Sequence, residues 1–286
     1  MPLYALENEL PSLTDPVVVA AFDGWVDAAA AASSAMERLA ADTAVLARFD
    51  VDAIYDYRSR RPVLDVVDGR LSDLVWPELL LRHAWLGGRD VLLLTGAEPD
   101  LRWRALATDV RELLARLGVV QWISLGAVPA TVPHTRPVPV MATASRDGLL
   151  GPEDVRRPGG LLRVPSAALS ALELEVTAAG MPAVGFFAQV PPYVGGGYAA
   201  ASLALLEHLA RHLAITLDLD DLSDLAARER TRYDQAAAAD PETQEMIARL
   251  EAIAGEEELR LPSGDELARE IQRFLRDRTD EEEPPG

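Results

Sequence analysis

Residues 16–41 read PVVVAAFDGWVDAAAAASSAMERLAA, and this stretch decides the fold class. Pro16 to Phe22 is a short run of small and β-branched apolar residues without polar alternation, the pattern of a strand buried on both faces. It ends at Asp23-Gly24-Trp25-Val26-Asp27, and Ala28 to Ala41 then has very high helix propensity with Asp27 as its natural N-cap. Strand, glycine-containing turn and capped helix open a βα unit.

The same alternation continues outward. Ala44 to Tyr57 reads as a strand-like stretch broken by charged residues, and Val63 to Val67 as a further strand. Glu78 to Trp85 and Asp90 to Thr95 flank Leu86-Gly87-Gly88-Arg89, which predicts a hairpin. Leu101 to Leu117 is an amphipathic helix leading into a buried strand at Val119 to Leu125. Gly126 to Pro139 is rich in Pro and Gly and precedes a strand at Val138 to Thr143. Ser166 to Ala179 is helical, Ala183 to Gln189 strand-like, and Tyr198 to Ile215 a helix rich in Ala and Leu. Strands recurring between helices predict an α/β domain with a largely parallel sheet over residues 1–217.

After Leu217 the strand signal stops. Residues 218–286 carry 21 acidic and 9 basic side chains, so this segment holds −12 of the chain's net −19. Leu219, Leu222 and Leu225 open one helix. Asp240-Pro241 starts another as N-cap and first helical residue, with Ile247, Leu250 and Ile253 on one stripe. Ser263 and Glu266 form a capping box before a third, so residues 218–279 read as an acidic helical appendage and 280–286 as a disordered tail. The narrow stripes need covering, either by the α/β domain or by a neighbouring subunit.

Composition excludes several chemistries. All 27 basic residues among the 286 are Arg, and there is no Lys and no Cys. Schiff bases, P-loop lysines, thiol nucleophiles, thiolate metal sites and disulfides are thereby removed. A net charge of −19 repels a phosphate backbone, so nucleic acid is not an expected partner. No apolar run reaches the ~18 residues of a membrane span, and MPLYALENELPSL lacks a basic and apolar leader, so a cytoplasmic location is expected. No motif calls for a metal or other cofactor.

Three segments could hold chemistry. Asp23 and Trp25 lie at the end of the first strand, where open α/β sheets place ligands; Asp27 is explained by capping alone. Pro133-His134-Thr135-Arg136-Pro137 presents an acid–base group, a hydroxyl and a guanidinium in a loop stiffened by flanking prolines. It reads either as an anion site or as a set of structural pairs with nearby carboxylates. Tyr193 and Gly195-Gly196-Gly197 precede a helix N-terminus, where backbone N–H groups can hold a phosphate, although the spacing is not that of a dinucleotide loop. His208 and His212 share a helix face without a third ligand, and no Ser sits in a nucleophile elbow. If the three loops meet at one sheet edge, Arg136 meets Asp23 or an anion there, and His134 is within reach of a bound small molecule.

LENELPSLTDPVVVAAFDGWVDAAAAAS at 6–33, LGAVPATVPHTRPVPV at 125–140 and VPSAALSALELEVTAAGMPAVGFFAQVPPYVGGGYAAASLALLEHL at 164–209 together resemble the proteasome assembly chaperone 2 family in its actinobacterial form. The resemblance covers about residues 1–215. It implies a Rossmann-like sheet of the phosphorylase/hydrolase type and a homo-oligomer, a trimer being the expected form. It also implies a non-enzymatic assembly protein with a protein partner such as a proteasome component. The alternative is a phosphorylase- or hydrolase-like enzyme, or a binder of a small anionic ligand, using a pocket at the strand ends formed by Asp23, Trp25, His134, Thr135, Arg136, Tyr193, Gly195 and Gly196.

Overall fold

The computed structural model describes residues 2–7, 10–41, 43–154 and 161–260. In chain order the strands are β1 (Tyr4–Leu6), β2 (Val17–Asp23), β3 (Ala44–Phe49), β4 (Val63–Val67), β5 (Arg70–Val75), β6 (Leu79–Leu86), β7 (Arg89–Ala97), β8 (Gln121–Pro129), β9 (Val140–Ala144) and β10 (Ala183–Val190). The helices are α1 (Ala31–Ala40), α2 (Val51–Ile54), α3 (Trp103–Arg116), α4 (Ala168–Ala178), α5 (Ala199–Leu213), α6 (Asp220–Ala238) and α7 (Pro241–Arg260). Eight strands form one sheet in the order β1-β3-β6-β7-β2-β8-β10-β9. The four central strands, β7, β2, β8 and β10, are mutually parallel, as an α/β chain requires, and antiparallel strands flank them on both sides.

Burial on both faces explains the apolar run. Val17, Val19 and Ala21 of β2 point into one core, with α1, α5 and the start of α6. Val18, Ala20 and Phe22 point into the other, with α3 and α4. Two cores on opposite faces of one sheet make a three-layer α/β/α arrangement. The stripe of α6 is covered by its own chain, because Leu222 and Ala226 join the core that α5 builds. Among the described residues no helix is long and apolar enough to cross a membrane.

Several expectations are refined. The first helix starts at Ala31, not Ala28, because Ala28–Ala30 form a 3-10 turn in which Ala29 and Ala30 are left-handed (φ 54° and 51°). The cause is long-range: Val26 O accepts the Ala127 N–H at 2.7 Å, which stitches the turn to β8 before the helix can begin. Asp27 still caps α1, with Oδ1 accepting the N–H groups of Ala32 (2.7 Å) and Ser33 (3.2 Å). β8 does not stop at Leu125 but continues through Gly126 to Pro129, held by parallel pairing with β10. The strand at Val63–Val67 has an unexpected partner, β5, in a separate two-stranded hairpin. The Gly87-Gly88 hairpin forms where expected, and Asp240 caps α7 through the N–H groups of Glu242 and Thr243. Gly96 is required where β7 meets β6: at φ 149° a Cβ would lie 1.9 Å from Glu78 O. The Ser263–Glu266 capping box and the 280–286 tail lie outside the described residues.

A polar chain runs through the interior between β8 and α4. Trp122 Nε1–H donates to Ser124 Oγ at 2.7 Å, and Ser124 donates to Glu173 Oε2 at 2.6 Å. Burial raises the Glu173 carboxyl above the ordinary glutamate range, only partly offset by the Ser124 hydrogen bond. The unfolded chain therefore releases this proton at lower pH than the folded chain does. Stability is lost as pH rises from the ordinary glutamate value through the raised folded one. Glu173→Gln keeps an acceptor for Ser124 and removes the ionisation. Its thermal midpoint should exceed the wild type's by a few degrees at pH 8 and converge with it near pH 4, in calorimetric scans; a gap independent of pH would refute this account.

Candidate functional site

β2, β8 and β10 lie side by side and point the same way, so the loops leaving their C-terminal ends are neighbours, as the topology argument expects. The candidate residues nevertheless separate into two groups, each tied to different elements.

The first group centres on His134, which is 4% exposed. Tyr193 Oη accepts the His134 backbone N–H at 2.8 Å and lies 2.7 Å from Nδ1. His134 Nε2 lies 3.2 Å from Asp234 Oδ1 on α6. One arrangement satisfies all three contacts: Tyr193 donates its O–H to Nδ1 while accepting the N–H, and Nε2–H donates to Asp234. The imidazole is also flanked by the rings of Tyr193 and Tyr233, both at 5.6 Å. Burial pushes the hydroxyls of Tyr193, Tyr198 and Tyr233 up, so each holds its proton at neutral pH and remains a donor. Thr135 Oγ1 donates to Glu251 Oε1 on α7 at 2.6 Å, and Arg230 Nη2 donates to Thr135 O at 2.7 Å. His134 and Arg136 line an open groove of about 490 Å³ between the loop, α5 and α6, together with Val138, Leu203 and His208.

The second group surrounds Asp23. Its carboxylate lies 3.4 Å from Arg60 Nη1, while Arg60 Nη2 donates to Asp23 O at 2.6 Å and Nε to Glu98 O at 3.0 Å. The guanidinium that the described contacts bring to Asp23 is Arg60, from the loop after α2. Glu98 is the organising carboxylate: Oε2 accepts the Trp25 N–H at 2.6 Å and Oε1 the Ala168 N–H at 2.7 Å, capping α4. Trp25 itself is 64% exposed. Behind this edge sits Asp27, buried, with Oδ2 lacking a hydrogen-bond partner; burial raises its carboxyl above the ordinary aspartate range.

A Cβ built at Gly195 or Gly196 meets nothing within 4 Å, and Gly196 is left-handed (φ 84°). The Ala199 N–H that opens α5 is accepted by Glu229 Oε2 from α6 at 2.8 Å, so one of the chain's own carboxylates occupies the position a phosphate would need. His208 and His212 pack on Phe186, and among the described residues no cluster of His, Asp and Glu could hold a metal ion.

Sequence reasoning missed Arg60, Glu98, Arg230, Asp234 and Glu251. The last three carry no signal, since they look like solvated charges on acidic helices. Arg60 sits in the run Arg58-Ser59-Arg60-Arg61, where nothing separates it from its neighbours. Chemically, the first group is a sealed seat: every named polar atom of the His134-Thr135 pair is bonded to Tyr193 or to the C-terminal helices.

A family model described as the PAC2 family matches residues 21–237. A Mycobacterium tuberculosis protein of unknown function is 37% identical, over 90% of this chain and 92% of that one, with a TM-score of 0.84. A proteasome-assembly chaperone homologue from the same bacterium is 35% identical, over 81% of this chain and 99% of that one, with a TM-score of 0.74. Pyrococcus furiosus PbaB, an archaeal proteasome activator, shares the fold at a TM-score of 0.60 over 82% of this chain and 99% of its own, with 15% identity. No curated protein sequence matches significantly.

Tyr193→Phe removes the oxygen that accepts the buried His134 N–H and faces Nδ1. It should cost about 1–3 kcal/mol, the penalty of a buried donor left unsatisfied. Urea unfolding checks the cost, and faster proteolysis in the α6–α7 region should accompany it.

Proposed function

The chain belongs to the PAC2 family, and from that membership we propose that it is a non-enzymatic assembly protein of the proteasome-assembly-chaperone kind. A relative of that description, 35% identical over 81% of the chain, supports the reading. The observation that carries it is the seat just described. The polar loop that gave the enzyme reading its acid–base group is enclosed, and its donors and acceptors are bonded to α6 and α7. His134 is 4% exposed, and both of its ring nitrogens already have partners, Tyr193 and Asp234. A loop used to hold helices in place is a scaffold for presenting surfaces, which is what an assembly factor needs.

In this reading residues 1–217 form the body and the acidic helices from residue 218 onward form its cover. The protein works in the cytoplasm as a homotrimer, and the protein it contacts is a proteasome component. The net charge of −19 selects against nucleic acid and favours a partner surface with exposed Arg or Lys.

The purified chain should comigrate with proteasome subunits on native gels, with binding that weakens as salt rises. Light scattering at micromolar concentration should return about three chain masses. Absence of binding at tens of micromolar, together with a clear thermal-shift response to a small anionic metabolite, would overturn the assembly reading in favour of a ligand binder.

A further inference from the structure

β4 and β5 form an arm that stands apart from the main sheet, closed by the left-handed pair Asp68 and Gly69 and, among the described residues, paired with no third strand. The register places Leu64 opposite Leu74 and Val66 opposite Leu71, so one face is wholly apolar. The other face carries Val63, Val67 and Val75 around a directly opposed carboxylate pair, Asp65 and Asp73. Every residue of both strands is exposed, and Leu71 reaches 74%. A lone two-stranded hairpin is marginal in water, and like charges opposite each other weaken it further. With Trp76 at its root, the arm keeps large apolar side chains exposed on both faces, and a contiguous exposed apolar face of this kind marks an interaction site.

The same chain offers a receptor for such an arm. At the arm's root lies a groove of about 490 Å³ whose apolar wall includes Phe49, Val51, Trp76 and Leu80, closed on one side by Asp73 and Leu74 of β5 itself and flanked by Arg48 and Glu78. Arg48, about half exposed, pairs with Glu78 at 3.2 Å and with Glu7 at 2.6 Å. The tip of the arm carries one charge of each sign, Asp68 and Arg70, on either side of Gly69. Projection and groove thus sit on one molecule, each with apolar surface and each with charges of both signs.

We propose that the β4–β5 arm is the subunit-joining element: its tip seats in the arm-root groove of a second copy, with Asp68 toward Arg48 and Arg70 toward Glu78. Such a contact is head to tail, and it closes into a trimer when successive copies are related by a third of a turn. The inference rests on the homo-oligomer of the proposed function but not on its proteasome partner.

The chain has no Cys, so engineered thiols report cleanly. In the full-length double variant Leu71→Cys with Val51→Cys, mild oxidation should give covalent multimers on non-reducing gels, while either single variant stays at one chain mass. Separately, Leu64→Asp with Leu71→Asp should bring the light-scattering mass down to 30.9 kDa with an unchanged circular dichroism spectrum, whereas Leu174→Asp, on the exposed side of α4, should leave the mass as it was. The proposal is overturned by a wild-type chain of monomer mass, by cross-linking of Leu71→Cys alone, by no adduct in the double thiol variant, or by a folded double-Asp variant of wild-type mass. A monomer mass would also remove the homotrimer of the proposed function, whereas the other three failures leave that trimer and the proteasome partner to their own tests.

Discussion

Four parallel strands buried on both faces constrain everything else in this chain. Their interior can be almost wholly apolar because backbone pairing within the sheet satisfies the main chain, and the few polar side chains admitted, such as Ser124, must be bonded at once. Polar function is thereby pushed to the C-terminal strand ends, where the chain leaves the sheet. There the protein anchors its turns with side chains from remote parts of the sequence. Arg60 and Glu98 hold the exit of β2, and Tyr193 with Asp234 holds the exit of β8. Each anchor is a charge or hydroxyl reaching a backbone group or ring nitrogen that the sheet itself leaves unpaired.

The acidic bias takes on a specific use in this light. Glu229 receives the first N–H of α5, Asp234 faces His134, and Glu251 accepts from Thr135. All three come from the C-terminal helices and all three act as acceptors toward donors on the α/β body. An excess of carboxylates that looks like a solvated surface on a helical wheel supplies the acceptors that close the body's polar end. The cost of stripping these helices away would be a row of donors returned to water and a set of tyrosines uncovered, not merely the loss of an appendage.

The limits of sequence reading follow from the same physics. β2 was legible because the six-residue apolar run Val17 to Phe22, bounded by Pro16 and by Asp23-Gly24, fits a strand buried on both sides. The start of α1 was not, since alanine is equally content at residues 28 and 31, and the hydrogen bond that delays the helix comes from Ala127, a hundred residues away. β5 was missed because Leu71, Leu74 and Val75, taken alone, do not reveal whether they will be covered, and its interrupted alternation reflects a bulge between Asp65 and Val66. The convergence of three loops at one end was deducible from strand direction. Which charges meet there was not, because Arg60 and Asp234 act over separations that no local pattern encodes.

The reach of the family match adds a structural distinction. It runs from residue 21 to residue 237, one residue short of the end of α6, and so includes Asp234 but stops before Glu251. The His134–Tyr193–Asp234 contact thus lies wholly inside the matched region, whereas the Thr135–Glu251 contact joins it to α7 outside. α6 also buries Leu222 and Ala226 in the core with α5, which makes it part of the body in packing terms. α7 rests on α6 through Ile247 and Leu250, with Ile253 of the same stripe left 44% exposed. Among the described residues α7 meets the loop through Glu251 and lies close to the Arg136 guanidinium at Gly255, and it packs by a short stripe, whereas α6 shares the main core. The loop is therefore held at two levels, by His134 and Asp234 against a helix fixed in the core, and by Thr135 and Glu251 against a helix laid over it.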